Sequence, residues 1–314
     1  MTESLTVLGS AAPLIAYSFS SRGFPDLVQK VGQLLPSISS AFLLSLFDVW
    51  YLNELSDFLT TSDTRIRIWD SGGYETKFSD DMSSVISAVP SANPWELQNY
   101  IEAARRIPWN GRDILVSFDN TPMLSVEQQI GISIEGYDRI EGNYLRDMLL
   151  HVPVDYDIAK LVSEIAPHLS KIDIIGFTEK EIAPTWTRGV QFIHAVRQAF
   201  AELDLVAPPI HLFGCLDPKS VTYFALAGVS VFDGLSWLRY FFHNRTTLYR
   251  REFEFLGKFQ GIRPTQDIDT AISLHNLNEM QELRADLNFQ LALDDETMFI
   301  SEKHMLQTVL TQGR

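Results

Sequence analysis

Cysteine is nearly absent: the 314 residues include one, Cys215. That excludes an internal disulfide and a zinc cage built from several thiolates. A reducing, cytoplasmic setting is the expectation. No early Lys or Arg precedes the first apolar stretch, where Glu3 stands, so the N-terminus does not read as a secretory signal. Nor does any apolar run reach the roughly 20 residues that cross a bilayer. The most apolar segment, Ala41 to Leu52, is interrupted by Asp48, and a membrane is not an expected partner. Positive charge is scarce too, with 25 Lys and Arg against 40 Asp and Glu, and the formal charge of −15 argues against broad, non-specific adhesion to nucleic acid. Linkers, repeats and low-complexity tracts are missing, so one domain over residues 1–314 is expected.

What is present is ordinary globular composition, 46% hydrophobic and 21% charged, enough to bury a full core. Short apolar runs end in acidic or glycine-containing tips: Arg65 to Trp69 before Asp70, Asp113 to Phe118 before Asp119, Leu149 to Val154 before Asp155. Three more follow, Lys171 to Ile175 before Gly176, Pro209 to Phe213 before Gly214, and Val229 to Phe232 before Asp233. Helical patterns lie between them at Asn93 to Arg106, Tyr156 to Leu169, Thr185 to Leu203 and Pro218 to Gly228, the last opening behind Asp217 and closing at a glycine. Ala12 to Phe19 reads as a first strand; Ala41 to Leu52 is ambiguous between strand and helix. This rhythm predicts an α/β fold with a parallel sheet, best fitted to this length as a (β/α)8 barrel of TIM type, with a helical segment from about 239 to 314 packed on it.

In such folds ligands sit at the C-terminal ends of the strands, where Asp70, Asp119 and Asp233 fall. Three carboxylates there repel one another unless some hold a proton or meet a donor, and a ligand rich in N–H groups supplies donors. The stretch Trp69-Asp70-Ser71-Gly72-Gly73-Tyr74-Glu75 adds a glycine pair that approaches a flat ligand closely, and an aromatic ring that stacks on it. From Arg239 to Arg263 basic residues interleave with Tyr240, Phe241, Phe242 and Tyr249. Two readings stand there, a helix with a solvated basic face and a patch that contacts phosphate.

"DSGGYE" resembles the DSGGFQ signature of the tRNA-guanine transglycosylases, "VSFDN" is similar to their FDE stretch, and "HLFGCLDPKSVTYFALAGVSVFDGLSW" resembles the archaeosine-type strand that bears their nucleophile. "IGFTEKE" resembles their glycine loop and "HNLNEMQELRADL" their C-terminal helix opening with HNL. These matches come in family order from about Trp69 to Leu287. The resemblance implies exchange of guanine for a 7-deazaguanine at C1′ of a nucleoside in nucleic acid, with the sugar's configuration kept. It makes Asp233 the nucleophile and Asp70 the second acid, which moves protons. It assigns Asp119 to reading the N1–H and amine of the base, Tyr74 to stacking, and Ser71, Gly72, Gly73, Gly176 and the Glu181 backbone to lining the slot.

The chain also departs from the family. The histidine of its structural zinc site is matched by His275, but the cysteines are absent, so no metal and no other cofactor is expected, and His275 reads as a hydrogen-bonded structural residue. The family's zinc subdomain is expected to be missing. Glu75 replaces a glutamine, turning a donor and acceptor into an acceptor. The glutamine of the family's VQGG strand end falls near Val154 in "HVPVD". The implied partners are a guanine or 7-deazaguanine base and a tRNA or DNA acceptor, with a homodimer or partner protein, Phe241 and Phe242 serving an interface or a core equally. Two alternatives stay open: a transglycosylase-fold enzyme acting on another acceptor in an antiviral defence system, and a non-catalytic base-binding subunit.

Overall fold

Short apolar strands alternating with helices close into a parallel barrel in the computed structural model, which describes residues 12–22, 26–59, 64–76, 94–119, 124–255, 268–293 and 299–312. Its strands, β1 (Leu14–Phe19), β2 (Ala41–Ser45), β3 (Ile66–Asp70), β4 (Asp113–Val116), β5 (Tyr144–Leu149), β6 (Ile174–Thr178), β7 (Ile210–Phe213) and β8 (Val231–Gly234), pair in sequence order. Closure comes from β8 against β1, with Ala16 opposite Asp233. The fold is a (β/α)8 barrel of TIM type, as the alternation predicts.

Around the strands, in chain order, run α1 (Leu27–Leu34), α2 (Leu46–Tyr51), the short α3 (Gly73–Thr76), α4 (Leu97–Ala104), α5 (Val126–Asp138), α6 (Ile158–Ile165), the short α7 (Glu179–Ile182), α8 (Trp186–Glu202) and α9 (Pro218–Ala227). Of the expected Asn93 to Arg106 helix, Asn93 lies outside the described residues. α9 starts and stops as its sequence says: Asp217 accepts from the amides of Lys219 and Ser220, and Gly228 ends it at φ 104°.

Period-two alternation sorts side chains between two cores. Leu14, Ala16, Ala41, Leu43, Ile66, Ile68, Ile114 and Val116 fill the barrel interior, while Tyr17, Phe42, Trp69 and Leu115 face the helices. Within Arg65 to Trp69 the two arginines differ, Arg65 being only partly buried. Arg67 is fully buried, giving Nε and Nη2 to Asp113 at 2.6 and 2.7 Å, and Trp69 Nε1 donates to the same carboxylate at 3.0 Å. Ala41 to Leu52 is both elements in turn, a strand to Ser45 and then α2, whose first turn Ser45 caps by accepting from the Phe47 amide.

Leu149 to Val154 is not a strand. β5 ends at Leu149 and begins five residues earlier, in a stretch disguised by Arg146 and Asp147. The helix α5 before it also lacked a sequence reading, although Ser125 and Gln128 form a capping box that announces it.

Beyond β8 come α10 (Ser236–Arg239), the hairpin of β9 (Phe241–His243) and β10 (Thr246–Leu248), α11 (Glu252–Phe255), α12 (Ile268–Leu293) and α13 (Ile300–Gln312). The segment from 239 is thus hairpin and helix, not helix alone. Phe241 and Phe242 are fully buried within the chain, which assigns them to the core. Of the described basic residues there, Arg245 pairs with Asp286, Arg250 with Asp269 at 2.7 Å and Arg239 with the Tyr74 hydroxyl, while Arg251 is exposed with its guanidinium over the Tyr249 ring at 5.3 Å. They do not share one helical face; Lys258 and Arg263 lie outside the described residues. No helix among the described residues is long and apolar enough to cross a membrane.

Candidate active site

The C-terminal mouth of the barrel gathers carboxyl groups. Asp70 ends β3 facing inward, Asp233 sits near the end of β8, and Asp119 follows β4. Asp70 feels the charge of Asp233 and, more weakly, of Asp119, which places all three in one electrostatic neighbourhood. Burial first, then the charges of Glu75 and Asp233, push the Asp70 carboxyl up to about 8 against the pull of a hydrogen bond from the Gly72 amide. At neutral pH Asp70 therefore carries a proton.

Asp233 has different neighbours. Its Oδ2 accepts from the Ser18 hydroxyl at 2.8 Å, and its Oδ1 accepts from the Gly214 amide at 3.0 Å and lies 3.3 Å from His211 Nε2. Two acids at one mouth thus hold different partners, one a proton and the other hydrogen-bond donors.

The turn after Asp70 is shaped by close approach. Gly72 has φ 85°, and a Cβ on Gly73 would stand 2.3 Å from the Asp119 carbonyl oxygen and 2.8 Å from its Oδ2, so only glycine lets this turn lie against Asp119. Ser71 is buried and works locally: its hydroxyl accepts from the Gly73 amide and its carbonyl from Trp95 Nε1. Tyr74 is half-buried, its hydroxyl bonded to Arg239 at 2.6 Å and its ring beneath the Arg22 guanidinium at 4.8 Å.

Glu75, given no role by sequence reasoning, is a buried acid between the hydroxyls of Ser20 (2.6 Å) and Ser45 (2.9 Å). Burial, then the charge of Asp48, push it up to about 8. A protonated Glu75 both donates and accepts, as a glutamine amide does. Asp48, buried and bonded to Ser21, is itself pushed up to about 6, chiefly by burial.

The residue at the end of β5 that meets Asp119 is His151, not Val154. Its Nε2 lies 2.7 Å from Asp119 Oδ1 and its Nδ1 2.8 Å from Glu181 Oε1. Burial lowers the imidazole, but bonds to both acids outweigh it and raise the ring to about 9. Glu181 therefore takes part through its side chain, which Thr178 also holds at 2.6 Å. Gly176 does not line the outer slot. It faces the barrel interior, where a Cβ would meet Phe213 at 2.3 Å and Asp147 Oδ1 at 3.2 Å.

Below Asp233, His211 Nδ1 lies 2.6 Å from Asp147 Oδ2, and the Phe213 ring stacks on the imidazole at 3.7 Å. Sequence reasoning passed over Ser18, Asp147, His151, His211 and Phe213. A histidine and an acid inside otherwise apolar strands were the signal. Cys215 is buried and its thiol pushed well up by burial, which rules it out as a ready nucleophile.

One cluster among the described residues has metal-ligating composition: His243, His275 and Glu279, with donor atoms within 4.8 Å of one another. His275 Nε2 also lies 3.0 Å from the Phe242 carbonyl oxygen, and three ligands fall short of the four a structural zinc takes. No family model matches the chain, and no curated protein matches it.

Proposed function

We propose that this chain is a base-exchanging transglycosylase that replaces guanine with a 7-deazaguanine at C1′ of a nucleoside in nucleic acid. The observation that carries this reading is the pairing of unlike acids at one mouth: Asp70 raised to about 8, and Asp233 held as an acceptor by Ser18 and Gly214. Displacement at C1′ builds oxocarbenium-like charge, which a carboxylate stabilises and then bonds. Asp233 takes that role. Departure of guanine needs a proton at the base, which a protonated Asp70 gives and later recovers from the incoming base.

Asp119, against the Gly73 turn, suits the N1–H and amine of a guanine edge, and Tyr74 offers an aromatic face. Neither a metal nor an organic cofactor enters this chemistry. The test is incubation with radiolabelled guanine and, separately, tRNA, duplex DNA and single-stranded DNA. Label entering one polymer, and lost in Asp233→Asn, is the expected result. Retention of free base without transfer to any acceptor, unchanged in Asp233→Asn, would replace this reading with that of a base-binding subunit.

A further inference from the structure

His211 is a buried imidazole between two buried acids on three different strands, and base exchange as written above has no use for it. Its Nδ1 lies 2.6 Å from Asp147 Oδ2 on β5, and its Nε2 3.3 Å from Asp233 Oδ1 on β8. The ring cannot swing away, because Phe213 covers one face at 3.7 Å in a space that Gly176 keeps clear. Asp147 Oδ1 is a buried polar atom without a hydrogen-bond partner, and His211 Nε2 makes no well-aligned hydrogen bond, with Asp233 Oδ1 facing it at 3.3 Å. Such orphans are rare in folded proteins and concentrate where function requires them.

We propose that Asp147 and His211 form a buried proton-holding pair that keeps an N–H on His211 Nε2 facing Oδ1 of Asp233, fixing that oxygen and making His211 a positioning residue for the nucleophile. Proton counting supports this. With Nδ1 bonded to Asp147, either the imidazole is charged and Asp147 ionised, or Asp147 holds the proton and the ring is neutral; both place a hydrogen on Nε2. The remaining arrangement sets a bare nitrogen lone pair against an ionised Asp233 oxygen at 3.3 Å, too close for a water to stand between them, which is repulsive. The other groups facing the pair leave this unchanged. The Tyr137 hydroxyl donates to the Asp147 backbone carbonyl, the Gly214 amide shares Oδ1, Ser18 holds the other oxygen of Asp233, and Asp70 feels the charge of Asp233.

The consequence for chemistry rests on the base-exchange reading. Oδ1 accepts from the Gly214 amide and faces His211 Nε2 at 3.3 Å, whereas Oδ2 meets only the rotatable Ser18 hydroxyl. Oδ2 therefore attacks C1′. The C1′–N9 bond breaks, its electron pair leaves on N9, and N9 takes the proton of Asp70. Asp233 becomes an ester with Oδ1 as its carbonyl oxygen. Attack by N9 of the incoming base returns the electron pair of the C1′–Oδ2 bond to Asp233 and its own proton to Asp70.

The test is nitrogen-15 spectroscopy of histidine-labelled protein, with His211 assigned from the signal lost in His211→Gln. Nε2 is expected to carry a proton at pH 7.5, whether the ring is charged or is the neutral tautomer whose bare Nδ1 faces a protonated Asp147. Asp233→Asn is expected to move that signal, which also supplies the assignment if His211→Gln does not fold. A bare Nε2 at pH 7.5, or a signal indifferent to Asp233→Asn, overturns the proposal.

In the exchange assay His211→Gln is expected to slow transfer roughly tenfold or more and to change its pH profile. A wild-type rate with a wild-type profile overturns the proposal even if the ring is protonated. If wild-type protein transfers no base while Nε2 remains protonated and responds to Asp233, the base-exchange reading fails and the proton-holding pair stands.

Discussion

His151 Nε2 stands 2.7 Å from Oδ1 of Asp119, the carboxylate assigned to the base edge. That acid is engaged by a histidine whose other nitrogen is tied to Glu181. On the base-exchange reading, a base that donates to both oxygens of Asp119 must share Oδ1 or displace the ring. Protonation of His151 and base binding would then be linked.

Base affinity is predicted to respond to His151. In His151→Asn, Asp119 loses its cationic neighbour below about pH 9, and the dissociation constant for guanine is expected to change by at least about threefold. Isothermal titration of free guanine at pH 7 and pH 9.5 measures both arms. Equal affinities in wild type and variant at both values would remove His151 from recognition.

Stability is expected to fall as pH rises from 6 to 9. Asp70 and Glu75, raised to about 8, and His151 and His211, raised to about 9, bind more protons folded than unfolded in this window. Where the native state binds the extra protons, raising pH favours unfolding. For the carboxyls the loss begins above their unfolded values near 4; for the histidines it runs from about 6.5 to 9. Thermal melts across the range should show a Tm lower by several degrees at pH 9. Glu75→Gln should flatten that slope, because the amide needs no proton to stay neutral between Ser20 and Ser45.

Arg67→Ala is predicted to destabilise the fold by about 3–5 kcal/mol, since it leaves Asp113 as a buried carboxylate without its counter-charge. The paired replacement of Arg67 and Asp113 by apolar residues should recover much of the loss. Chemical denaturation with a double-mutant cycle measures both.

Gly73→Ala is expected to reduce guanine binding with a smaller effect on folding, because the added methyl meets the carbonyl and carboxylate of Asp119 at 2.3 and 2.8 Å. A loss of roughly tenfold or more in affinity, against a change of about 1 kcal/mol in stability, is the expected split.

Proton delivery should also set the pH profile of exchange. With Asp70 raised to about 8, cleavage of the nucleoside is expected to decline as pH passes that value, and Asp70→Asn should lower the rate at least about a hundredfold. A rate flat to pH 10 would take Asp70 out of the acid's role.

The barrel was legible because strands covered on both faces read as apolar runs, and their acidic tips marked the mouth. Legibility failed where a strand carries polar groups inward. Arg146 and Asp147 hid β5, and Asp147 is the partner of His211. The burial of Arg67 was not legible, because its partner Asp113 lies 46 residues away. Asp70, Asp119 and Asp233 were found from the tips alone. His151 and His211 were not, because what distinguishes them is contact between strands far apart in the chain.

Asn276 lies fully buried on α12, donating to the carbonyls of Trp237 and Tyr240 and accepting from the Phe242 amide. One amide side chain thus staples the loop that follows the Asp233 strand, and β8 itself must wait to meet β1. During synthesis the first strand emerges before β8 can meet its edge, and the loop after Asp233 lacks this staple until residue 276 has left the ribosome. A nascent chain halted before that point would therefore hold Asp233 beside an unstapled loop.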